Sequence, residues 1–244
     1  MPRPRPRRRQ ADPPEATDLR IIGGRLRGSK LRYEPYMDGA DPVTRPMKHR
    51  VREALFNLVS TECGGRYAID LFAGTGALGL EAISRGAVGA TLIEKHVPTA
   101  RVVEENIAAL GLTEQCDLRV TSAFLWAKRD LAKAEGGGGK AEGHVAQSSD
   151  GLAAAPLPPS DHPWLVFCSP PYAFFVDRQD EMLDLIARVV AVAPPESIVL
   201  VEADERFDFT LLPEGVAADR RGDGWQVRTY APAVVGVLRT PLPE

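Results

Sequence analysis

Asp70-Leu71-Phe72-Ala73-Gly74-Thr75-Gly76-Ala77-Leu78-Gly79 is the stretch that decides the fold. It closes an apolar run over residues 67–72 and leads into helical spacing over residues 77–85. A strand that turns through Gly-x-Gly into a helix brings backbone against a ligand, because glycine lacks the side chain that would block the approach. Outward from this turn the chain alternates. Residues 90–94, 117–121, 164–168 and 197–202 have the apolar character of buried strands. Helical periodicity covers residues 98–110 and 179–192, and residues 227–230 and 234–239 form a closing hairpin. Such alternation builds an α/β domain on a mostly parallel sheet.

Glycine spacing alone leaves two ligands open. Gly74, Gly76 and Gly79 satisfy G-x-G-x-x-G, and Glu94 falls where an acid would take the ribose hydroxyls of a dinucleotide. Asp70 favours S-adenosylmethionine instead. A carboxylate there suits a cationic methionine-type ammonium and would repel a pyrophosphate. Phe72, Gly74 and Gly76 are then expected on the cofactor wall, with Glu94 as ribose clamp rather than a plain strand-end acid. Ser122, just past the third strand, is a candidate for the adenine or a turn cap.

Ser169-Pro170-Pro171-Tyr172 follows the fourth strand. An exocyclic amine is a poor nucleophile because its lone pair is delocalised into the ring. Two acceptors for its N–H bonds localise that pair and stabilise the charge that grows on nitrogen. The Ser169 hydroxyl and the Pro170 carbonyl are the expected acceptors, the prolines fixing the turn. Tyr172 offers a face on which a flipped base stacks. Read alone, the same residues are equally a Pro-Pro turn with a packing tyrosine. They have no role in hydride transfer, which weakens a nicotinamide enzyme as the alternative.

Among 244 residues the net charge is only −3, but it is unevenly spread. Residues 1–53 hold 14 Lys and Arg against 7 Asp and Glu; the remainder holds 16 against 26. A basic arm on an acidic body suits a polyanionic partner, or is a solvated tail. Residues 1–18, opening Pro-Arg-Pro-Arg-Pro-Arg-Arg-Arg, are expected to be a disordered basic tail. Residues 19–66 are expected to form an RNA-binding unit. It comprises a basic hairpin over residues 19–31 and a helix over residues 48–60, on which Arg50 and Arg52 lie off the apolar stripe. Residues 67–244 would be the catalytic domain, with residues 135–163, rich in Gly, Ala, Ser and Pro, as a flexible insertion. Three cysteines without CxxC spacing and four histidines without ligand spacing give no metal site. No secretory signal and no apolar run of about 18 residues is present, so a cytoplasmic setting without a membrane is expected.

The chain resembles the RsmD-type methyltransferases, which modify guanine N2 in 16S ribosomal RNA. The resemblance is carried by Arg20-Ile21-Ile22-Gly23-Gly24-x-x-Arg27-Gly28-x-Lys30-Leu31, Arg45-Pro46 and Arg50-Val51-Arg52-Glu53-Ala54-Leu55-Phe56-Asn57. The glycine turn with Leu80-Glu81-Ala82 and the Pro-Pro-Tyr turn complete it. It implies a Rossmann-like class I methyltransferase fold: a seven-stranded, mostly parallel sheet with helices on both faces, an antiparallel last strand and an N-terminal basic hairpin. It also implies S-adenosylmethionine as cofactor and ribosomal RNA or the small ribosomal subunit as partner. Arg25, Arg27, Lys30, Arg50 and Arg52 would grip the RNA, and a monomer is expected. The family usually carries Asp at the position of Ser169, Thr-Thr-Asp where this chain has Met47-Lys48-His49, and an acid at the position of His96. An amino-methyltransferase acting on another base, adenine or cytosine in DNA or RNA, therefore stays open. So does a non-catalytic RNA-binding assembly factor.

Overall fold

The computed structural model describes residues 19–33, 37–38, 41–42, 49–59, 61–131, 158–219 and 222–242. The expected tail over residues 1–18 and all but the last six residues of the expected insertion lie outside them. Met37–Asp38 and Asp41–Pro42 form a minimal antiparallel pair. Helix α1 is His49–Val59, strand β1 Tyr67–Asp70, α2 Ala77–Ser84, β2 Gly89–Ile93, α3 Val97–Ala109 and β3 Cys116–Arg119. Helix α4, Ala123–Trp126, continues into one π turn over Ala127–Leu131. Then come β4 Trp164–Cys168, α5 Phe174–Asp177, α6 Gln179–Val192, β5 Ile198–Asp204, β6 Gln226–Tyr230 and β7 Ala233–Arg239.

The seven strands form one sheet in the order β3-β2-β1-β4-β5-β7-β6. Neighbours from β3 to β5 pair in parallel, and β7 runs antiparallel to both β5 and β6. Alternate residues of each strand enter opposite cores, as the pleat requires. Ala68, Leu92, Leu165, Phe167 and Leu200 pack with α1, α2 and α3. Ile69, Ile93, Val166, Cys168 and Val199 pack with α4, α5 and α6. The fold is Rossmann-like, with the last strand antiparallel as expected.

The expected N-terminal hairpin is reduced to a bridged loop. Arg20 and Lys30 form an isolated antiparallel bridge, and the chain between them turns without further strand. Across it Ile21 donates to the Ser29 carbonyl at 3.0 Å, Gly28 to Ile21 at 2.9 Å and Leu31 to Leu19 at 2.7 Å. The hairpin pairing is thus present but short, and α2 accepts N–H groups near its turn. The carboxylate of Glu81, buried in that helix, accepts the N–H groups of Ile22 and Gly23 at 2.6 and 2.7 Å. Gly24, at φ 74°, lies so close to Ser84 that a Cβ would meet its carbonyl oxygen at 1.9 Å. Leu19, Ile21, Leu31, Phe56 and Val59 share a core with the sheet residues Leu165 and Leu200. Residues 19–33 and 49–59 are thus packed into the same core as the sheet rather than beside it.

Candidate active site

Strands β1 and β4 are neighbours in the sheet though nearly a hundred residues apart in sequence, with Asp70 opposite Phe167. The connections after β1 and β4 leave toward opposite faces, so a crevice opens at the carboxyl ends of the strands. The Gly-x-Gly turn and Ser169-Pro170-Pro171-Tyr172 face each other across it. The resulting cavity, about 940 Å³, is lined from the first motif by Phe72, Gly74 and Thr75 and from the second by Ser169 to Tyr172. Glu94, Ser122 and Glu202 also line it. That volume accommodates a drug-sized ligand with room for a second group.

On the first wall, Glu94 ends β2 and reaches back to the glycine turn. Its Oε2 accepts the Gly74 N–H at 3.0 Å and its Oε1 the His96 N–H at 2.8 Å. Each carboxylate oxygen retains further acceptor capacity. His96 is a helix cap: its ring pairs with Thr99 Oγ1 at 2.8 Å at the start of α3. Ser122 stands before α4, and its side chain makes no cap hydrogen bond there. Beside it Phe72, Phe124 and Phe174 form a ring cluster with centroids 6.0–6.1 Å apart, and Arg178 covers Phe124 at 4.0 Å. Phe124 and Phe174 were not expected from sequence. The helical spacing of Phe124, Ala127 and Leu131 was the available signal.

Two expected cofactor residues stand behind this wall. Asp70 is buried beneath the turn and does not line the cavity. Its Oδ2 accepts the Gly79 N–H at 3.2 Å, and Oδ1 has no hydrogen-bond partner among the described residues. Burial pushes its pKa up to about 7, against the lowering effect of the Gly79 and Phe72 backbone donors. Asp70 thus braces the turn from below instead of facing the crevice. Gly76 is also set back. It holds φ 78° at the start of α2, where a Cβ would press on Val103, Leu80 and Leu92 at 3.1–3.2 Å. Its lack of a side chain serves helix–sheet packing.

On the second wall, the Pro171 carbonyl accepts the Phe174 N–H at 2.9 Å and starts α5. Among the described residues no hydrogen bond reaches the Pro170 carbonyl, which leaves it an open acceptor at the cavity. The Ser169 hydroxyl donates to Glu202 Oε2, and the Tyr172 hydroxyl donates to Glu202 Oε1 at 2.5 Å. Glu202 is on β5, whose Val201 is level with Cys168. Burial holds the Glu202 carboxyl above the usual range, and burial together with that carboxylate raises the Tyr172 phenol. The sequence reading missed Glu202, which looked like the last residue of an apolar strand.

The basic residues divide. Arg25, Arg27, Lys30 and Arg50 are exposed. Arg25 donates to Gln115 at 2.9 Å, and its backbone N–H to Ser84 at the end of α2. That end of an eight-residue helix is about 12 Å from the cavity rim, so Arg25 and Arg27 lie toward the amino edge of the sheet. Arg50 precedes Val51, which lines the cavity. Arg52 corrects the sequence reading: it is 1% exposed, donates to the Arg20 carbonyl at 2.5 Å and cannot meet RNA. Burial lowers its pKa while Glu81 opposes that shift. A helix stripe locates the side facing the sheet, but it could not reveal that residues 19–33 cover a second side.

The family described as Conserved hypothetical protein 95 matches residues 19–136. Over 92 residues the chain is 48% identical to the ribosomal RNA small subunit methyltransferase D of Escherichia coli K12, 38% of this chain and 44% of that protein. This part of the chain resembles the RsmD-type methyltransferases. The match spans less than half the length of that relative. The stretch that the family matches contains the docked N-terminal loop, the glycine turn, Glu94 and Ser122; Ser169, Tyr172 and Glu202 follow it. The whole architecture resembles the solved structure of yhhF from Escherichia coli, with a TM-score of 0.61 and 24% identity over 92% of this chain and 99% of that one. A 16S rRNA N2 G1207 methyltransferase from Thermus thermophilus, solved with AdoMet and guanosine, aligns with a TM-score of 0.51 at 17% identity, over 81% of this chain and 43% of that one.

Proposed function

We propose that the chain transfers a methyl group from S-adenosylmethionine to the exocyclic N2 amine of a guanine in small-subunit ribosomal RNA, acting as a single copy in the cytoplasm. The observation that carries this reading is the meeting, in one cavity, of the Glu94-held glycine turn with the Ser169 hydroxyl and Pro170 carbonyl. The name of the Escherichia coli relative and the ligands of the Thermus thermophilus structure support the same reading.

The residues present fit the cofactor. Glu94 offers ribose hydroxyls two carboxylate oxygens held in place by backbone N–H groups, and the Phe72, Phe124 and Phe174 rings suit an adenine. When bound, S-adenosylmethionine supplies an electrophilic methyl group on a sulfonium sulfur. Ser169 Oγ and the Pro170 carbonyl accept the two N–H bonds of the target amine, which draws its lone pair out of conjugation and aims it into the cavity. Both oxygens would stabilise the positive charge as the N–C bond forms at the expense of the donor's sulfur–methyl bond, and the amine's surplus proton would then pass to water. Tyr172 stacks the flipped base, Arg50 holds a flanking phosphate, and Arg25, Arg27 and Lys30 meet RNA farther from the cavity.

The test is tritium transfer from labelled S-adenosylmethionine into 30S subunits from a strain lacking its own guanine-N2 enzyme, with mass spectrometry of the product nucleosides. N2-methylguanosine at a single site is the expected result. Label on adenine or cytosine would transfer the reading to another amino group, and absence of donor binding would leave an assembly factor.

A further inference from the structure

Glu202 is the group on which the two hydroxyls of the second motif converge. It is 4% exposed at the end of β5, yet it lines the cavity. Its Oε1 takes the Tyr172 hydroxyl at 2.5 Å and its Oε2 takes the Ser169 hydroxyl. Burying a carboxylate is unfavourable unless its oxygens find donors, and these two O–H groups supply them. None of the described Lys or Arg residues forms an ion pair with it. The arrangement has a directional consequence. An ionised carboxylate only accepts, and a hydroxyl owns a single proton. Once Ser169 and Tyr172 have each given that proton to Glu202, only lone pairs remain on the two oxygens for any other partner.

We propose that Glu202 is the positioning residue that sets the hydrogen-bond polarity of the target site. By holding both hydroxyl protons it makes Ser169 and Tyr172 acceptors toward the cavity. The site therefore selects a nucleobase edge that donates N–H, an amino group, and rejects one that presents a carbonyl. The inference rests on the methyltransferase reading given above.

The substitution Glu202→Gln keeps the shape and changes the polarity. A carboxamide has one oxygen and one NH₂, so whichever hydroxyl faces the NH₂ must accept from it and swing its own proton into the cavity. There it confronts the N–H of the target amine. With the full chain and RNA substrate, E202Q is expected to bind S-adenosylmethionine within about twofold of wild type by calorimetry. Its kcat should fall on the order of 10²-fold, the usual effect of removing one preorganised partner of a developing charge. Ser169→Asp alone should also be poor, because it places two buried carboxylates side by side. The double variant S169D/E202Q should regain at least about tenfold over E202Q. In it the introduced carboxamide donates to the introduced carboxylate, whose other oxygen accepts from the amine. A residue that merely supports the fold would not give this compensation.

Wild-type turnover in E202Q, or a double variant no better than E202Q, overturns the proposal while leaving the methyltransferase reading intact. An inactive wild type that binds the donor sinks both. Donor binding and thermal unfolding of every variant separate misfolding from lost polarity.

Discussion

Glu94 Oε2 accepts the backbone N–H of Gly74 at 3.0 Å, so the end of β2 fixes the shape of the turn that follows β1. One carboxylate both shapes the turn and, in the proposed function, meets the ribose. Glu94→Ala should therefore weaken donor binding by about 1.5–3 kcal/mol, roughly ten- to a hundredfold in Kd. Calorimetry with S-adenosylhomocysteine checks this, and unaltered affinity would exclude Glu94 from the cofactor wall.

Asp70 gives a pH prediction with a definite sign. Its folded pKa is raised to about 7 from 3.8, chiefly by burial. The folded state thus binds a proton more tightly than the unfolded chain. Asp70's contribution to stability is full below about pH 4 and is lost as pH rises through about 7. Asp70→Asn cannot ionise and should remove this part of the pH dependence. Urea unfolding of both proteins at several values between about pH 4.5 and 8 measures it. Parallel pH profiles would contradict the buried position.

Arg50 and Arg52 are two residues apart but should behave as different kinds of residue. Arg50→Ala is expected to reduce the salt slope of RNA binding by about one phosphate contact, with little effect on folding. Arg52→Ala should leave the slope unchanged and lower the unfolding free energy by about 2–4 kcal/mol through lost packing and an unpaired Arg20 carbonyl. Filter binding across a salt series, beside urea titrations, distinguishes them.

Glu81 is fully buried and accepts from Ile22, Gly23 and the Arg85 side chain. Glu81→Ala leaves two backbone donors and one guanidinium without their acceptor, and should destabilise the protein by about 3–5 kcal/mol. The early release of residues 19–33 should be visible by amide hydrogen exchange. Protection of Ile22 and Gly23 equal to wild type would rule out this anchoring role.

Short apolar runs and helical spacing placed all seven sheet strands and the long helices, because a strand buried on both faces and a helix buried on one each leave a local pattern. The strand over residues 164–168 and the helix over residues 179–192 matched to the residue. Both motif turns were legible for the same reason. Glu202, the burial of Arg52 and the docking of Gly24 on Ser84 were not. Each depends on which elements the topology places side by side, and spacing along one segment carries no such information. Asp70 was legible as a turn residue but misplaced in depth, since its position next to the glycine turn does not say whether its carboxyl faces the crevice or the core.

The chain leaves the described core at Leu131 and returns at Pro158, leading into the start of β4 rather than its carboxyl end. Trp164 fixes the return by donating its indole N–H to the Pro159 carbonyl at 2.8 Å. Every residue proposed to touch the methyl donor or the target amine is anchored on the other edge of the sheet. The distance between the glycine turn and the Pro-Pro-Tyr turn in space is decoupled from their distance in the gene.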